Sequence, residues 1–182
     1  MSKIVLVTGG SRSGKSEFAE SLLNDRDDVL YIATAVITDE EMRNRINRHK
    51  ESRNQKWATY EGYKNLDDII VNYDEEYILL DCVTTMVTNL LFDKERDFDN
   101  MPMENIDTLR SEISVEFSKL IEKCRSVNKT IIMVTNEIGC GLVPEYKLSR
   151  IFRDIAGWIN QDIAKISDEV YMTACGIPMK LK

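Results

Sequence analysis

The first sixteen residues constrain the fold of this chain more than any other segment. An apolar run at 3–8, rich in β-branched residues, leads into Gly9, and the spacing from Gly9 to Gly14, Lys15 and Ser16 fits the phosphate-loop pattern GxxxxGK[ST] without a mismatch. The pattern predicts a buried strand, a turn whose backbone N–H groups face phosphate oxygens, and a helix that begins at Lys15. A chance loop rich in glycine and serine is the alternative, but strand, loop and helix patterns follow each other here in the required order.

We therefore expect this loop to bind a nucleoside triphosphate, GTP or ATP, together with Mg2+. Lys15 is expected to reach the β- and γ-phosphates, and Ser16 is expected to hold the metal ion. The residues expected to bind the phosphates are Gly9, Gly10, Ser11, Arg12, Ser13, Gly14, Lys15 and Ser16.

Length and composition limit the remaining possibilities. The chain has 182 residues, 43% of them apolar, which predicts one nucleotide-binding domain spanning 1–182. A net charge of −7 argues against general nucleic-acid binding. No apolar run reaches the length of a membrane span, and the chain opens with a core strand rather than a cleavable signal, which predicts a cytoplasmic location. The four cysteines form no CxxC pair, which favours reduced, mostly buried thiols over a zinc site.

Short apolar runs alternate with helical patterns along the chain. Strands are predicted at 3–8, 29–34, 77–81, 129–135 and 169–173. Helices are predicted at 15–24, 39–53, 66–72, 84–92, 106–127 and 147–167, and a charged loop with Pro102 at 94–105. This alternation predicts an α/β fold, with a mostly parallel sheet covered by helices on both faces. Ligands of such sheets bind beyond the carboxyl ends of the strands, so the residues that follow each strand are the candidate site residues.

Three of the predicted strands end in residues suited to a ligand site. Asp81 ends the third strand and could contact Mg2+ or its water shell, with helix capping as the alternative role, for which Thr84 is better placed. Thr34 ends the second strand, where small residues would admit a ligand to the backbone or simply form a turn. Asn136 and Glu137 follow the fourth strand and precede two glycines, a pattern typical of a functional loop or of a tight local turn.

A basic segment at 41–53 contrasts with the acidic chain and contains His49, the only histidine. A charge run is usually a solvated helix face, and a lone histidine is usually a surface or hydrogen-bonded residue. A neutral imidazole can, however, attack phosphorus and form a phosphoramidate. Further along, Arg150 and Arg153 share one helix face and could contact a second substrate, another subunit or only solvent.

The phosphate loop leaves three classes of function open: a small-molecule kinase or nucleotidyltransferase, a regulatory GTP-binding switch, and an ATPase subunit of a larger machine. Switch proteins carry N-K-x-D after a strand and D-x-x-G after the aspartate-bearing strand. Here Asn128-Lys129 has Ile131 in place of the motif's aspartate, and it precedes a strand instead of following one. Thr84 stands where the glycine of D-x-x-G would follow Asp81. These departures argue against the switch, and no long partner-binding tail supports the ATPase subunit.

Further motifs follow the phosphate loop in a fixed order. They include Tyr31-Ile-Ala-Thr34 and Arg45-Ile-x-x-His49-x-x-x-Arg53, and the full set of segments lies at 8–16, 31–34, 45–53 with Trp57, 80–91, 134–144, 152–161 and 168–180. Through these segments, which span nearly the whole chain, the sequence resembles the bifunctional adenosylcobinamide kinase/adenosylcobinamide-phosphate guanylyltransferase family of cobalamin biosynthesis. Several long motifs in one order are far more specific than a phosphate loop alone.

The resemblance implies two reactions. One phosphorylates the terminal hydroxyl of the aminopropanol arm of adenosylcobinamide with ATP or GTP. The other transfers GMP from GTP to adenosylcobinamide phosphate through a GMP-histidine intermediate, and the histidine aligns with His49. Nucleotide-contacting positions implied in the same way are Thr34, Ala35, Val36, Lys50, Glu51, Ser52, Arg53, Glu61 and Asp81. The family also implies a RecA-like sheet and a homotrimer. Another small-molecule phosphate-loop kinase, without guanylyltransferase activity, is the alternative.

Overall fold

The fold is built on a single sheet that contains every strand of the described residues. The computed structural model describes residues 2–36, 40 and 54–182. The strands are β1 Ile4–Gly9, β2 Val29–Ala33, β3 Ala58–Glu61, β4 Tyr77–Asp81, β5 Thr130–Asn136, β6 Glu169–Ala174 and β7 Ile177–Lys180. Their order across the sheet is β3-β2-β4-β5-β1-β6-β7, and only β7 runs antiparallel to its neighbour. The predicted mostly parallel phosphate-loop fold is confirmed.

Helices connect the parallel strands. Those in the described ranges are α1 Lys15–Ser21, α2 Leu66–Ile69 with a 3-10 turn at Ile70–Asn72, α3 Val83–Leu91, α4 Met103–Ser126 and α5 Lys147–Ile166. The predicted loop at 94–105 is wrong at its end, because α4 begins directly after Pro102, whose fixed φ suits the residue before a helix. The predicted helix at 39–53 lies almost entirely outside the described residues. No helix within the described ranges combines the length and the apolar composition needed to cross a bilayer.

Two hydrophobic layers cover the sheet, and the alternation of β1 shows how they separate. Ile4 and Leu6 are buried with residues of α3, α4 and α5 on one face. Val5 and Val7 are buried on the other face with Ala19 of α1. Because successive side chains of a strand point to opposite faces, one apolar strand contributes to both layers. Helices therefore lie on both faces, as the sequence predicts.

Two strands, β3 and β7, were not predicted. They are the edge strands of the sheet, and each has four residues. In β3 none of the residues is fully buried, and in β7 all are exposed and one is Pro178. A proline is tolerated at a sheet edge because its missing N–H is not needed for pairing there. Neither segment has the continuous apolar pattern that identifies a buried strand.

The strand register brings the carboxyl ends together at one edge. Gly9 is paired with Asn136 on one side and with Thr173 on the other. Ala33 is paired with Glu61 on one side and with Asp81 on the other. The predicted ligand residues at the strand ends therefore share one edge of the sheet.

Candidate nucleotide site

The phosphate loop joins β1 to α1 through a tight turn. Arg12 and Gly14 have positive φ angles of 60° and 89°, and the Ser13 N–H donates to the carbonyl of Gly10 at 3.3 Å. Gly14 occupies the cap position of α1 and supplies no side-chain acceptor. The first N–H groups of α1 are therefore available to an anion, which is the arrangement that binds phosphate at a helix start.

The β6–β7 hairpin supports this loop from one side. The Gly176 N–H donates to the carbonyl of Ser13 at 2.9 Å, and the hydroxyls of Ser13 and Thr173 lie 3.0 Å apart. A Cβ at Gly9 would lie 2.5 Å from Ser13 Oγ and 2.6 Å from both the carbonyl oxygen and Oγ1 of Thr173. A Cβ at Gly14 would lie 3.0 Å from the Cα of Gly176. Gly9 is thus required by its close contacts with Ser13 and the hairpin, and Gly14 by its positive φ together with its contact with Gly176.

Lys15 turns back over the loop. Its Nζ donates to the carbonyl of Gly10 at 3.2 Å. The pKa of the Lys15 ammonium lies below its ordinary value because the group is partly buried. The nearby Cys82 and Asp81 act in the opposite direction but do not outweigh burial. The ammonium therefore lies within electrostatic range of the end of β4.

Asp81 is held in place by Tyr31. The Tyr31 hydroxyl donates to Asp81 Oδ2 at 2.9 Å, and Tyr31 is only 4% exposed. Alternation along β4 places Asp81 on the same face as Leu79, which is the face that α1 covers. The carboxylate is therefore fixed on the side of the sheet where the phosphate loop leads into its helix.

The oxygen donors here suit a magnesium ion. A carboxylate from Asp81 and a hydroxyl from Ser16 are hard ligands of the kind Mg2+ takes beside phosphate oxygens and water. Across 2–36, 40 and 54–182 no group of three or more His, Cys, Asp or Glu residues could hold a metal ion by itself. These two donors fit a metal that depends on the nucleotide for its remaining ligands, and do not form a protein-only metal cage.

Thr34 links the ends of β2 and β4. It is fully buried; its Oγ1 donates to the carbonyl of Cys82 at 2.9 Å and accepts the Cys82 N–H at 2.8 Å. The peptide bond between Asp81 and Cys82 is cis. Asn89 donates to the Thr34 carbonyl at 2.6 Å. The Thr34 side chain is thus engaged within the protein, and the two residues that follow it are progressively more exposed, reaching 47% at Val36.

The other predicted nucleotide contacts fall into two groups. Glu61 ends β3 with its side chain exposed, and its register with Ala33 places it on the face that carries Asp81. The histidine and the four residues that follow it lie outside the described residues, and their roles stay predictions; they are His49, Lys50, Glu51, Ser52 and Arg53.

Thr84 does not cap α3, contrary to the prediction. The helix begins at Val83, and the Thr84 hydroxyl instead accepts the Asn136 N–H at 2.7 Å and lies 3.1 Å from Thr135 Oγ1. Thr135 in turn donates to Asn160 Oδ1 at 2.7 Å. This chain of hydrogen bonds joins α3, β5 and α5 and fixes the start of the loop after β5.

Sequence reasoning missed the residues that position others. Tyr31, Thr173 and Gly176 contact Asp81 and the phosphate loop from distant parts of the chain. Only Tyr31 could have been found from the sequence, because it lies two residues before Ala33 and so shares a strand face with the end of β2 at the predicted site. The partners of Thr173 and Gly176 follow from β6 lying beside β1, which no local pattern indicates.

One expectation about other side chains is corrected. All four cysteines are free, but Cys140 and Cys175 are exposed, so the prediction of mostly buried thiols holds only for Cys82 and Cys124. Burial raises the pKa of Cys124 to about 12. Arg150 donates to loop carbonyls, including that of Pro144 at 3.0 Å. The guanidinium of Arg153 pairs with the carboxylate of Asp154 at 3.1 Å. Both arginines thus have partners within the chain, and contact with a second substrate or another subunit stays a prediction.

Comparison with known proteins finds relatives over nearly the whole chain. Residues 5–181 match the family model for cobinamide kinase / cobinamide phosphate guanyltransferase. The bifunctional adenosylcobalamin biosynthesis protein CobU of Escherichia coli (strain K12) is 46% identical over 183 residues, covering 98% of this chain and 99% of that protein. CobU of Salmonella typhimurium is 45% identical over 98% of this chain and 99% of its own length. CobP of Pseudomonas aeruginosa is 38% identical over 97% of this chain and 96% of its own.

These matches cover nearly the full length, so the resemblance does not depend on the phosphate loop alone. They confirm the expected enzyme class, a transferase with kinase and guanylyltransferase activities. The phosphate loop, its lysine and the strand-end aspartate thus lie in a chain that belongs to the cobinamide kinase / cobinamide phosphate guanyltransferase family.

Proposed function

We propose that one phosphate-loop site of this chain serves two successive reactions. In the first, adenosylcobinamide receives a phosphoryl group from ATP or GTP. In the second, adenosylcobinamide phosphate receives GMP from GTP, which gives adenosyl-GDP-cobinamide and pyrophosphate. The observation that carries the proposal is the loop at 9–16, braced by the β6–β7 hairpin and opposed by Asp81, in a chain that matches the family model over residues 5–181.

The kinase step requires alignment and charge stabilisation rather than covalent catalysis. The N–H groups at the start of α1 and the Lys15 ammonium would bind the β- and γ-phosphates. The acceptor hydroxyl then attacks the γ-phosphorus and releases its proton to solvent, the bond to the bridging oxygen breaks, and the nucleoside diphosphate leaves with its charge stabilised by Lys15.

Ser16 and Asp81 are the residues that would hold Mg2+. When bound, the ion neutralises charge on the phosphate oxygens. The chain's own contribution is to fix the Asp81 carboxylate, and the hydrogen bond from the buried Tyr31 hydroxyl does this at 2.9 Å. An aspartate held in this way is oriented before the nucleotide arrives, so no side-chain ordering is needed during the reaction.

The guanylyltransferase step needs a nucleophile, and His49 is proposed for it. A neutral imidazole nitrogen attacks the α-phosphorus of GTP, a P–N bond forms, and pyrophosphate leaves under stabilisation by Lys15. A phosphate oxygen of adenosylcobinamide phosphate then attacks the same phosphorus and breaks the P–N bond, which returns His49 to its neutral form. Both steps transfer one GMP group and consume no further reactant.

The nucleoside would be bound by residues near the ends of β2, β3 and β4 and by the four residues that follow His49 in the sequence. The proposed contacts are Thr34, Ala35, Val36, Lys50, Glu51, Ser52, Arg53, Glu61 and Asp81. Exposed Glu61 lies across β2 from fixed Asp81 on the same face, which would present the Glu61 carboxylate to the donor N–H groups of a guanine base while Asp81 serves the metal ion.

The assembly and location of the protein also belong to the proposal. We treat residues 1–182 as one domain, since all strands in the described ranges join one sheet. We expect a homotrimer, for which the mass in sedimentation equilibrium is the test. Use of cellular ATP and GTP as substrates is consistent with a cytoplasmic location.

Incubation with GTP labelled at the α-phosphate, followed by denaturing electrophoresis, tests the proposed function. We expect a label on the protein that survives base and is lost in acid, as a phosphoramidate would be. His49→Ala should abolish this label while part of the kinase activity remains. An unlabelled wild-type protein that phosphorylates a different small molecule would instead support a kinase without guanylyltransferase activity.

A further inference from the structure

A second cavity opens beside the phosphate loop, on the face of the sheet that α1 does not cover. Its volume is about 660 Å³, within the usual range for small-molecule sites. Thr8 of β1 lines it, whereas Gly9 begins the phosphate loop, so adjacent residues of one strand reach both sites. The Glu137 N–H donates to the Gly9 carbonyl at 3.0 Å, which joins the wall of the cavity to the base of the loop.

The cavity has an apolar floor and a polar rim. Leu6, Trp158 and Val170 contribute to the floor. Glu137 and Gln161 belong to the rim. This combination suits a ligand with a large apolar body and polar groups at its edge, because the floor removes apolar surface from water while the rim can donate and accept hydrogen bonds.

Two further features favour a bound ligand: space beside the glycines and a buried hydroxyl without a partner in the described residues. The cavity is lined by Gly139, Gly141 and Gly157, and a Cβ built on either Gly141 or Gly157 meets no heavy atom within 4 Å. Thr8 Oγ1 is buried and has no hydrogen-bond partner in the described part of the chain. An unpaired buried hydroxyl costs free energy that a polar ligand group could recover.

The lining comes from segments whose role is not explained by phosphate binding. The end of β5 with the loop after it, and the middle of α5, contain the motifs at 134–144 and 152–161, which carry much of the family resemblance. The hydrogen bonds from Thr84 through Thr135 to Asn160 fix these two segments relative to each other. The end of β5 and the middle of α5 are therefore held together at the wall of the cavity.

We infer that this cavity, between the loop after β5, α5 and the strand pair β1–β6, binds the acceptor of both reactions, a corrinoid whose amide-bearing arm extends to the phosphate loop. The inference rests on the proposed function. An acceptor seated on the floor reaches the loop across the carboxyl end of β1, opposite the face where α1 and Asp81 lie. Donor nucleotide and acceptor would thus approach the transferred phosphorus from opposite sides of the sheet.

Filling the cavity at Gly157 tests the inference. Gly157→Phe should place a ring in the cavity without a backbone clash, and Gly157→Ala is the matched variant that adds only a methyl group. We expect the KM for adenosylcobinamide to rise at least about tenfold in Gly157→Phe and much less in Gly157→Ala, because only the larger side chain displaces the acceptor. Labelling by GTP without acceptor should fall by less than about twofold, since that step does not use the cavity.

A second variant, in the loop after β5, guards against a local folding defect. Gly141→Phe should raise the same KM, and thermal midpoints of all variants should stay near that of the wild type. An acceptor KM that is the same in Gly157→Ala and Gly157→Phe would overturn the inference. A loss of acceptor-free labelling in Gly157→Phe as large as its rise in acceptor KM would overturn it too. A sedimentation mass of Gly157→Phe or Gly141→Phe that differs from the wild-type mass would show that another subunit covers the cavity, and this result also overturns the inference. A wild-type protein that ignores adenosylcobinamide would instead refute the proposed function, and the inference with it.

Discussion

Replacing Gly9 with alanine should damage the phosphate loop far more than the same change at Gly10. The added Cβ at Gly9 would lie 2.5 to 2.6 Å from three oxygen atoms, one of which is the backbone carbonyl of Thr173. Ordinary contact needs about 3.5 Å, so the loop or β6 must move by about 1 Å. Overpacking of this kind costs about 1–3 kcal/mol. A displacement of about 1 Å in groups that position a reacting phosphate costs about 100-fold in rate.

The matched control is Gly10→Ala, because a Cβ at Gly10 meets no heavy atom within 4 Å. Differential scanning fluorimetry should show a midpoint lowered by about 2–10 °C for Gly9→Ala and by much less for Gly10→Ala. Steady-state assays of both reactions should show kcat/KM reduced about 100-fold only in Gly9→Ala. Equal effects of the two substitutions, or a fully active Gly9→Ala, would refute the argument that β6 fixes the loop.

Further predictions concern three other side chains. Lys15→Ala should lower kcat of both reactions by at least about 100-fold with little change in the melting midpoint, and loss of only one activity would contradict a shared site. Tyr31→Phe should raise the Mg2+ concentration needed for half-maximal activity several-fold, because Asp81 loses its hydrogen bond; an unchanged Mg2+ titration would show that Tyr31 does not orient it. The hydrogen bond from Lys3 lowers the pKa of Glu169 from the ordinary 4.5 to about 2. The Lys3–Glu169 ion pair therefore stabilises the fold at pH values above 4.5, and this stabilisation is lost as the pH falls toward 2. Urea unfolding should show Glu169→Gln destabilised by up to about 1 kcal/mol at neutral pH and indistinguishable from wild type near the lower pKa; a loss independent of pH would contradict this.

The sequence predicted the parts of the site that depend on local pattern. The loop between β1 and α1 needs fixed spacing of Gly9, Gly14 and Lys15, and Asp81 ends a run that is apolar enough to be recognised as a buried strand. Such features are encoded within a few neighbouring residues. Position at the carboxyl end of a parallel strand then followed from the fold class.

The remaining features depend on contacts between distant segments. The hydrogen bond from Tyr31 to Asp81 joins residues 50 positions apart, and the one between Ser13 and Thr173 spans 160 positions. Both require the order of strands in the sheet, which alternating apolar patterns do not specify. The strand at Ile177–Lys180 was missed for a different reason, since an exposed edge strand with a proline lacks the burial that produces a pattern.

The most direct test of the central claim, that one phosphate-loop site carries GMP on a histidine between its two substrates, is a single-turnover transfer. Wild-type protein would be labelled with α-labelled GTP, freed of nucleotide and mixed with adenosylcobinamide phosphate in a rapid-quench apparatus. The proposed mechanism predicts that the label leaves the protein and appears in adenosyl-GDP-cobinamide in equal amount, at a rate no slower than steady-state turnover and without added GTP. Label that stays on the protein, or product that forms only when fresh GTP is supplied, would contradict it.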